Sequence, residues 1–492
     1  MFSKIFFINC LLLMICDLYA QGLDSLPPEV ETTVVYGSPG KDESGCCIEE
    51  VPGGYVICGR IKPLNSDSGD IYLMRIWGLD FSPRWAKTLG GIGDDRAYSL
   101  KITGDGGYII CGYTDSYGSG GEDVYLIKTD SLGDTLWTRT FGGTEDDRGC
   151  SVDITDDGGY IICGVTRSFG AAGSDIYLIK TDSSGDSLWA KKFGGAGGDG
   201  AGSVKQTKDK GYIIAGEKCY DSETNESYIY LLKTDSSGRS RWSRSLKKGY
   251  YSGGGNSVIE TSDGGYVIGG WAMWLWEMSR VCLLKTDSQG DSLWWYIGST
   301  GNLGSVIETK NHDYVVTGSN FDEPLLAAKV NSSGDLLWSN NIGSEYDYSA
   351  GSSIRQTSDG GYIAVGTCRN YIDYDGPYNI FVVKIAPDEA GVPERKTGRQ
   401  NIILNCEPIV FSSTTEIVYN VRSNNTDVEI AVFDVSGERL KTIFRGTMSE
   451  GQYITSWDGT ADNGNLLPNG VYFLRVVTAN SSPRIRKLVL LR

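Results

Sequence analysis

Histidine is all but missing: the 492 residues contain one, His312. That removes the usual material of Ser-His-Asp and Cys-His nucleophile sites, of a histidine general base and of His-rich zinc sites. Proline is sparse at 13 residues, and 45 Lys and Arg face 62 Asp and Glu, for a formal net charge of −17. The few cations are scattered along the chain and form no stripe able to neutralise phosphates, so nucleic acid is excluded as a partner. No Gly-x-x-x-x-Gly-Lys-Ser/Thr or His-Glu-x-x-His string occurs, which removes the common phosphate-loop and zincin readings. Beyond the first twenty residues no apolar run approaches the length of a bilayer-spanning helix, so no transmembrane segment is expected in the mature chain.

The one early apolar run, Ile5 to Ile15, follows Lys4 and precedes Leu18-Tyr19-Ala20, the order of a secretory signal peptide over residues 1–20. The mature chain is expected to begin near Gln21 and to be secreted or held at the cell surface. Of the twelve cysteines, Cys10 and Cys16 leave with the signal. Cys58, Cys111 and Cys163 share a repeat position that Ala215, Gly269, Thr317 and Val365 fill elsewhere, which fits buried thiols acting as small apolar groups. Hairpin bridges between Cys46 and Cys58 or between Cys150 and Cys163 stay open as alternatives.

What the chain has in quantity is glycine, tyrosine and tryptophan, 66, 29 and 12 residues, a composition of short strands and many turns. These residues recur with a beat. Gly-Gly-Tyr and its worn copies place tyrosines at Tyr55, Tyr108, Tyr160, Tyr212, Tyr266, Tyr314 and Tyr362. Tryptophan follows at Trp85, Trp137, Trp189, Trp242, Trp294 and Trp338, and a basic residue at Arg75, Lys128, Lys180, Lys233, Lys285, Lys329 and Lys384. Each unit of about fifty residues holds four extended runs between Gly, Asp and Ser turns, as in Leu188 to Phe193, Gly202 to Gln206, Tyr212 to Gly216 and Tyr228 to Thr234. Seven such units match the blades of a radial ring, with the repeated aromatics filling the wedges between neighbours. The expected fold is all-β: a seven-bladed β-propeller over residues 30–386, then a small Ig-like β-sandwich.

The repeats, in copies such as Gly142-Gly143-Thr144-Glu145-Asp146-Asp147-Arg148, Gly158-Gly159-Tyr160 and Asp175-Ile176-Tyr177-Leu178-Ile179-Lys180, resemble bacterial seven-bladed β-propeller repeat proteins. The resemblance implies a fold and names no ligand. After a Pro- and Gly-containing linker over 387–400, residues 401–492 read as a second domain. Its landmarks, Phe433-Asp434-Val435-Ser436-Gly437, Trp457-Asp458-Gly459-Thr460 and Asn469-Gly470-Val471-Tyr472-Phe473, look like the flagellar-hook-cap Ig-like domain, which also ends many proteins exported by the type IX secretion system. The resemblance implies export or surface attachment through that secretion machinery. Where related export domains begin with Asn-Pro-aromatic, this one has Cys406-Glu407-Pro408.

Asp130, Asp182, Asp235 and Asp287 sit in Asp-x-x-Gly corners, where a carboxylate ordinarily bonds its own backbone amides. The corner is one residue longer on each side than a sialidase Asp-box, and no arginine triad accompanies it. Asp94-Asp95-Arg96 and Asp146-Asp147-Arg148 are suited to an ion or a salt bridge, although the alternating Asp/Asn string of a calcium loop is missing. No cofactor is expected; Ca²⁺ is the one ion the loops would suit.

One segment breaks the repeat. Trp271-Ala272-Met273-Trp274-Leu275-Trp276-Glu277-Met278 stands where other units have polar loops, and loops on a rigid scaffold carry function. Trp271, Trp274 and Trp276 are the candidate ligand-binding residues, able to stack on a sugar or anchor a protein. The alternative role is an apolar plug beside the shortened sixth unit. The expectation is a binding scaffold for a protein or glycan rather than an enzyme. A glycan hydrolase or lyase working with two carboxylates is the competing reading.

Overall fold

The computed structural model describes residues 27–388, apart from 170–172, 196, 222–225, 275–277, 321–322, 344–345 and 371–375. It also describes 402–491, apart from 408–409, 422–423, 435–438, 450 and 479–480. The signal segment, most of the linker and Trp276 fall outside these. Every regular element among the described residues is a strand. The chain divides into two units at Glu389/Ala390.

In the first unit, Lys41–Val51, Gly54–Pro63, Asp70–Trp77 and Pro83–Leu89 pair consecutively into an antiparallel sheet. Four more such sheets follow, opening with Asp95–Ile102, Asp147–Ile154, Gly200–Gln206 and Ser252–Glu260. The sixth holds Asn302–Glu308 to Leu336–Ile342. The seventh comprises Tyr346–Gln356, Tyr362–Asn370 and Tyr378–Ile385, completed by the first strand of the chain, Val30–Tyr36, paired with Tyr378–Ile385. One residue pair, Ser319 and Ala350, joins the sixth and seventh into an eight-stranded sheet. The sheets are offset from the repeat quoted above, so that Leu188–Phe193 closes the third sheet rather than opening the fourth.

Seven apolar clusters hold the sheets face to face, one for each junction between neighbours. The last of them packs Ile48, Ile57 and Met74 of the first sheet on Ile363, Val365 and Ile380 of the seventh, which closes the ring. This is a seven-bladed propeller, and a blade with apolar residues on both faces has no other way to hide them.

The periodic aromatics account for the wedge. Trp85 lies against Tyr108 of the next blade with ring centroids 6.3 Å apart, and Trp137–Tyr160, Trp189–Tyr212, Trp242–Tyr266, Trp294–Tyr314 and Trp338–Tyr362 repeat the pair at 5.9–6.2 Å. Gly133, at φ 81° in the Asp130 corner, sits over Trp85, where a β-carbon would come within 2.7 Å of the indole. Asp130 bonds the amides of Leu132 and Asp134, as a turn carboxylate does.

The periodic cations are also structural. Lys180 is buried; its ammonium donates to the Thr181 carbonyl at 2.7 Å and pairs with Asp157 at 2.9 Å, fastening the Thr155–Gly159 turn. Burial would raise the Asp157 carboxyl, but bonds from Thr155, Lys180 and the Gly159 amide bring it down to about 2. In the first blade Pro52 occupies the turn, and Arg75 donates to its carbonyl instead.

Each first strand carries a β-bulge at one repeat position, Cys46, Tyr98, Cys150, Gly202, Asn256, Gly304 and Ser352. The residue after the bulge is Ser in six blades. Ser99, Ser151 and Ser257 accept from the amides of Val152, Val204 and Val306 in the next blade, stitching the inner strands together. In the first blade this residue is Cys47, which donates to the Leu100 carbonyl. The bulge also moves the cysteine register: Cys58 faces Cys47 and Cys163 faces Ser151, so neither Cys46–Cys58 nor Cys150–Cys163 is a cross-strand pair. Cys46, Cys58, Cys150 and Cys163 are free thiols.

In the second unit, Ile402–Glu407, Thr415–Val421 and Gly451–Trp457 form one sheet. Val410–Phe411, Ser481–Leu490, Gly470–Thr478, Thr426–Phe433 and Arg439–Met448 form the other. Phe411, Ile430, Trp457, Tyr472 and Leu488 share its core, with Trp457 edge-on to Phe411 and to Tyr472.

Candidate functional site

The fifth blade departs from the others where its second strand, Tyr266–Met273, ends. Successive residues of a strand point to opposite faces, so Trp271 and Trp274 do not form one patch. Trp271 pairs with Gly254 of the first strand, and its indole Nε1 lies 2.9 Å from where a β-carbon of Gly254 would be. A glycine there is what leaves room for the ring. Trp274 turns to the other side and packs edge-on against buried Tyr250, centroids 6.2 Å apart. Trp295 meets the same tyrosine at 6.0 Å, and the Arg280 guanidinium lies 5.9 Å from the centre of the Trp274 ring.

Together Trp274, Trp295, Ile297, Lys248 and Arg280 line a groove of about 490 Å³. Buried Tyr250 packs beneath Trp274 and Trp295. Its hydroxyl donates to the Leu246 carbonyl, and burial raises its pKa, so it stays a neutral, fixed platform. Two half-buried indoles beside two cations make a surface that stacks on flat faces and attracts negative charge. An equivalent groove of about 420 Å³ lies between the first and second blades, where Thr135, Thr138, Tyr117 and Tyr125 line it. The fifth-blade groove is therefore a substituted form of a feature the repeat already provides: Trp295 stands where the second blade has Thr138.

Of the three tryptophans singled out by the sequence, the structure places Trp274 in the groove and Trp271 on the opposite face; Trp276 lies outside the described residues. Lys248, Tyr250, Arg280 and Trp295 were not anticipated. A signal for two of them was present. Trp295 doubles the periodic Trp294, and Arg280 stands five residues before Lys285, the place that Asp70, Asp123 and Asp175 hold before Arg75, Lys128 and Lys180.

Elsewhere the charged side chains are mostly paired with one another. Along the inner strands Arg355 and Lys101 both bind Glu49, and Lys205 binds Asp153. Burial would raise Glu49, but the two cations hold it down to about 2. Asp94 binds Arg60 and accepts from the Tyr113 hydroxyl. His312 lies in a turn at φ 64°, bonded to Ser262 and Glu308. No group of three or more His, Cys, Asp or Glu suited to a metal occurs among the described residues.

Comparison with curated proteins finds no match. Solved structures with a similar fold include PorZ, an essential bacterial surface component of the type-IX secretion system of human oral-microbiomic Porphyromonas gingivalis. It is 11% identical with a TM-score of 0.39, and the alignment covers 90% of this chain but only 59% of PorZ. A protein of unknown function from Dyadobacter fermentans DSM 18053 is 11% identical with a TM-score of 0.46, covering 73% of this chain and 99% of that one. Polysaccharide lyase Uly1 is 9% identical with a TM-score of 0.44, covering 72% and 92%. At these scores the likenesses say nothing about ligand or activity. A sequence profile is more specific for one part of the molecule: residues 410–482 match the FlgD Ig-like domain, and the C-terminal unit carries a domain of that kind.

Proposed function

We propose that the protein is an exported, non-catalytic propeller that binds an acidic glycan or protein segment in the fifth-blade groove, with the C-terminal domain serving export or surface attachment. The observation that carries the binding role is the groove of Trp274 and Trp295 flanked by Lys248 and Arg280. On a chain of net charge −17 the two exposed cations give this groove a local preference for negative charge. The signal-like residues 1–20 and the FlgD Ig-like domain support a place outside the cell, secreted or on the surface. The likeness of the repeats to bacterial seven-bladed repeat proteins agrees with a scaffold role.

A glycan-array screen of the wild type beside Trp274→Ala tests this. Binding to acidic oligosaccharides that falls at least roughly tenfold in the variant supports the groove, since one stacked aromatic contributes on that order. Binding unchanged by the variant would place the site elsewhere. Release of shortened product from any bound glycan would make the protein an enzyme.

A further inference from the structure

Three of the seven junctions between blades share a feature that the other four lack. At the first, Asp70 of one blade and Asp95 of the next converge on Gly90, where a β-carbon would lie 2.6 Å from Oδ2 of Asp95 and would overlap Asp70. At the second, Asp123 and Asp147 converge on Gly142 in the same way, and at the third Asp175 and Asp199 converge on Gly194. Five of the six are buried: Asp95 and Asp147 are 0% exposed, Asp123 1%, Asp199 2% and Asp175 6%; Asp70 is half-buried.

One oxygen of each carboxylate on the first strand is well supplied. Asp95 Oδ2 accepts from the Gly91 amide at 2.8 Å and the Ser116 hydroxyl at 2.7 Å. Asp147 Oδ2 accepts from Gly143 and Ser168 at 2.8 and 2.6 Å, and Asp199 Oδ1 accepts from the Cys219 amide at 2.9 Å. The remaining oxygens, Asp95 Oδ1, Asp123 Oδ1, Asp147 Oδ1 and Asp199 Oδ2, are buried and accept nothing among the described residues. Asp123 also accepts from the Ser119 amide through Oδ2, so the Asp123–Asp147 pair keeps one idle oxygen on each member and the other two pairs keep one on Asp95 and on Asp199. Neighbouring carboxylates with idle buried oxygens call for a shared proton, a water or a cation between them. The other junctions lack the pair: the matching positions hold Tyr228 with Gly253, Arg280 with Gly301, Pro324 with Ser349, and Asn379 with Glu43.

We propose that the Asp70–Asp95, Asp123–Asp147 and Asp175–Asp199 pairs are divalent-cation sites that take Ca²⁺ and clamp neighbouring blades together. All the donors are oxygens, which selects a hard cation over zinc or copper, and Ca²⁺ accepts irregular shells completed by backbone carbonyls and water. The sites lie at other junctions than the fifth-blade groove and do not depend on the binding role proposed for it.

The test is calorimetric and thermal titration of the mature full chain with Ca²⁺, after EGTA treatment, beside Asp123→Asn and Asp147→Asn. Mg²⁺ serves as a parallel probe. The expected result is binding of up to three Ca²⁺ per chain and a melting temperature raised on the order of 3–8 °C at a hundredfold excess over Kd. Each Asn variant should lose one site while remaining folded in EGTA, since it removes a like-charge pair. No Ca²⁺ binding at millimolar concentration, with a melting temperature that rises on mild acidification, would assign a shared proton and overturn the proposal. An equal response of wild type and Asn variants would reduce it to general screening and overturn it as well.

Discussion

The first three blade junctions and the fifth blade are built on one repeat, yet they have diverged in opposite electrostatic directions. At the former, an aspartate five residues before the structural Lys or Arg faces a second aspartate across the junction, and a glycine makes room for both. In the fifth blade that aspartate is Arg280, and Trp295 stands where the first three blades have Ala86, Thr138 and Ala190. The backbone is common to both; the wedge-filling Trp–Tyr pairs and the Lys–Asp staples are retained across the change. What a propeller keeps is the set of contacts that closes it, and what it varies is the chemistry at the outer ends of its junctions.

The largest effect should come from crowding a carboxylate pair. Gly142→Ala pushes a β-carbon into Asp123 and should cost about 1–3 kcal/mol in denaturant unfolding, the range of an overpacked site. Lys247→Ala, at the matching place in the fourth blade, loses a partly solvent-open ion pair with Glu226 and a contact with the Tyr228 ring, and should cost no more than about 1 kcal/mol. Equal costs would show that the glycines are not shaped around the aspartates.

Next comes the reverse exchange. Arg280→Asp restores the repeat residue to the fifth blade. It should abolish binding of acidic ligands while changing stability by less than about 1 kcal/mol, because Arg280 is exposed. Retained binding would separate the groove from charge recognition.

Acid titration in EGTA should then resolve the two kinds of aspartate. For Asp70, Asp123 and Asp199 the folded pKa lies above the ordinary value of 3.8, so the fold gains stability as pH falls from neutral toward about 4. For the staple carboxylates Asp157, Asp209, Asp263 and Asp359 the folded pKa is brought down to about 2. Their contribution is intact above about 4 and is lost between about 4 and 2. Thermal melts should therefore pass through a maximum in mild acid, and the rising limb should flatten in Asp123→Asn. A monotonic fall from neutral would contradict the paired aspartates.

The smallest effect concerns the worn turns. Lys210 and His312 occupy left-handed backbone at φ 66° and 64°, where five other units have glycine. Lys210→Gly should stabilise by up to about 1 kcal/mol in the same denaturation assay, the strain of a side chain in that region.

The fold was legible in the sequence because its determinants are periodic: one tyrosine and one cation per blade and one tryptophan in six of the seven, each with a structural partner one blade or one turn away. The offset between repeat and sheet was not legible, since it depends on where Val30–Tyr36 pairs, and that strand carries no repeat landmark. The buried thiols were legible, but the two hairpin bridges could be discarded only from the structure: a bulge shifts the register by one residue, and no residue type marks the bulge consistently. For the groove, the sequence showed the cluster from Trp271 to Trp276 but not that strand alternation sends Trp271 and Trp274 to opposite faces. It also could not bring Lys248, Tyr250 and Trp295, from three separate segments, onto Trp274. The aspartate pairs were hidden because their members lie 24 or 25 residues apart on neighbouring blades, and neither alone differs from a turn carboxylate.

Hydrogen–deuterium exchange of the full chain, with and without the tightest-binding acidic oligosaccharide from the array, tests the central claim most directly. The account predicts slowed exchange in the segments bearing Lys248, Trp274, Arg280 and Trp295 and little change in the second-blade groove around Tyr117 and Thr138. Protection centred on the second-blade groove, on the inner strands around Arg96 and Arg148, or on the C-terminal domain would contradict it.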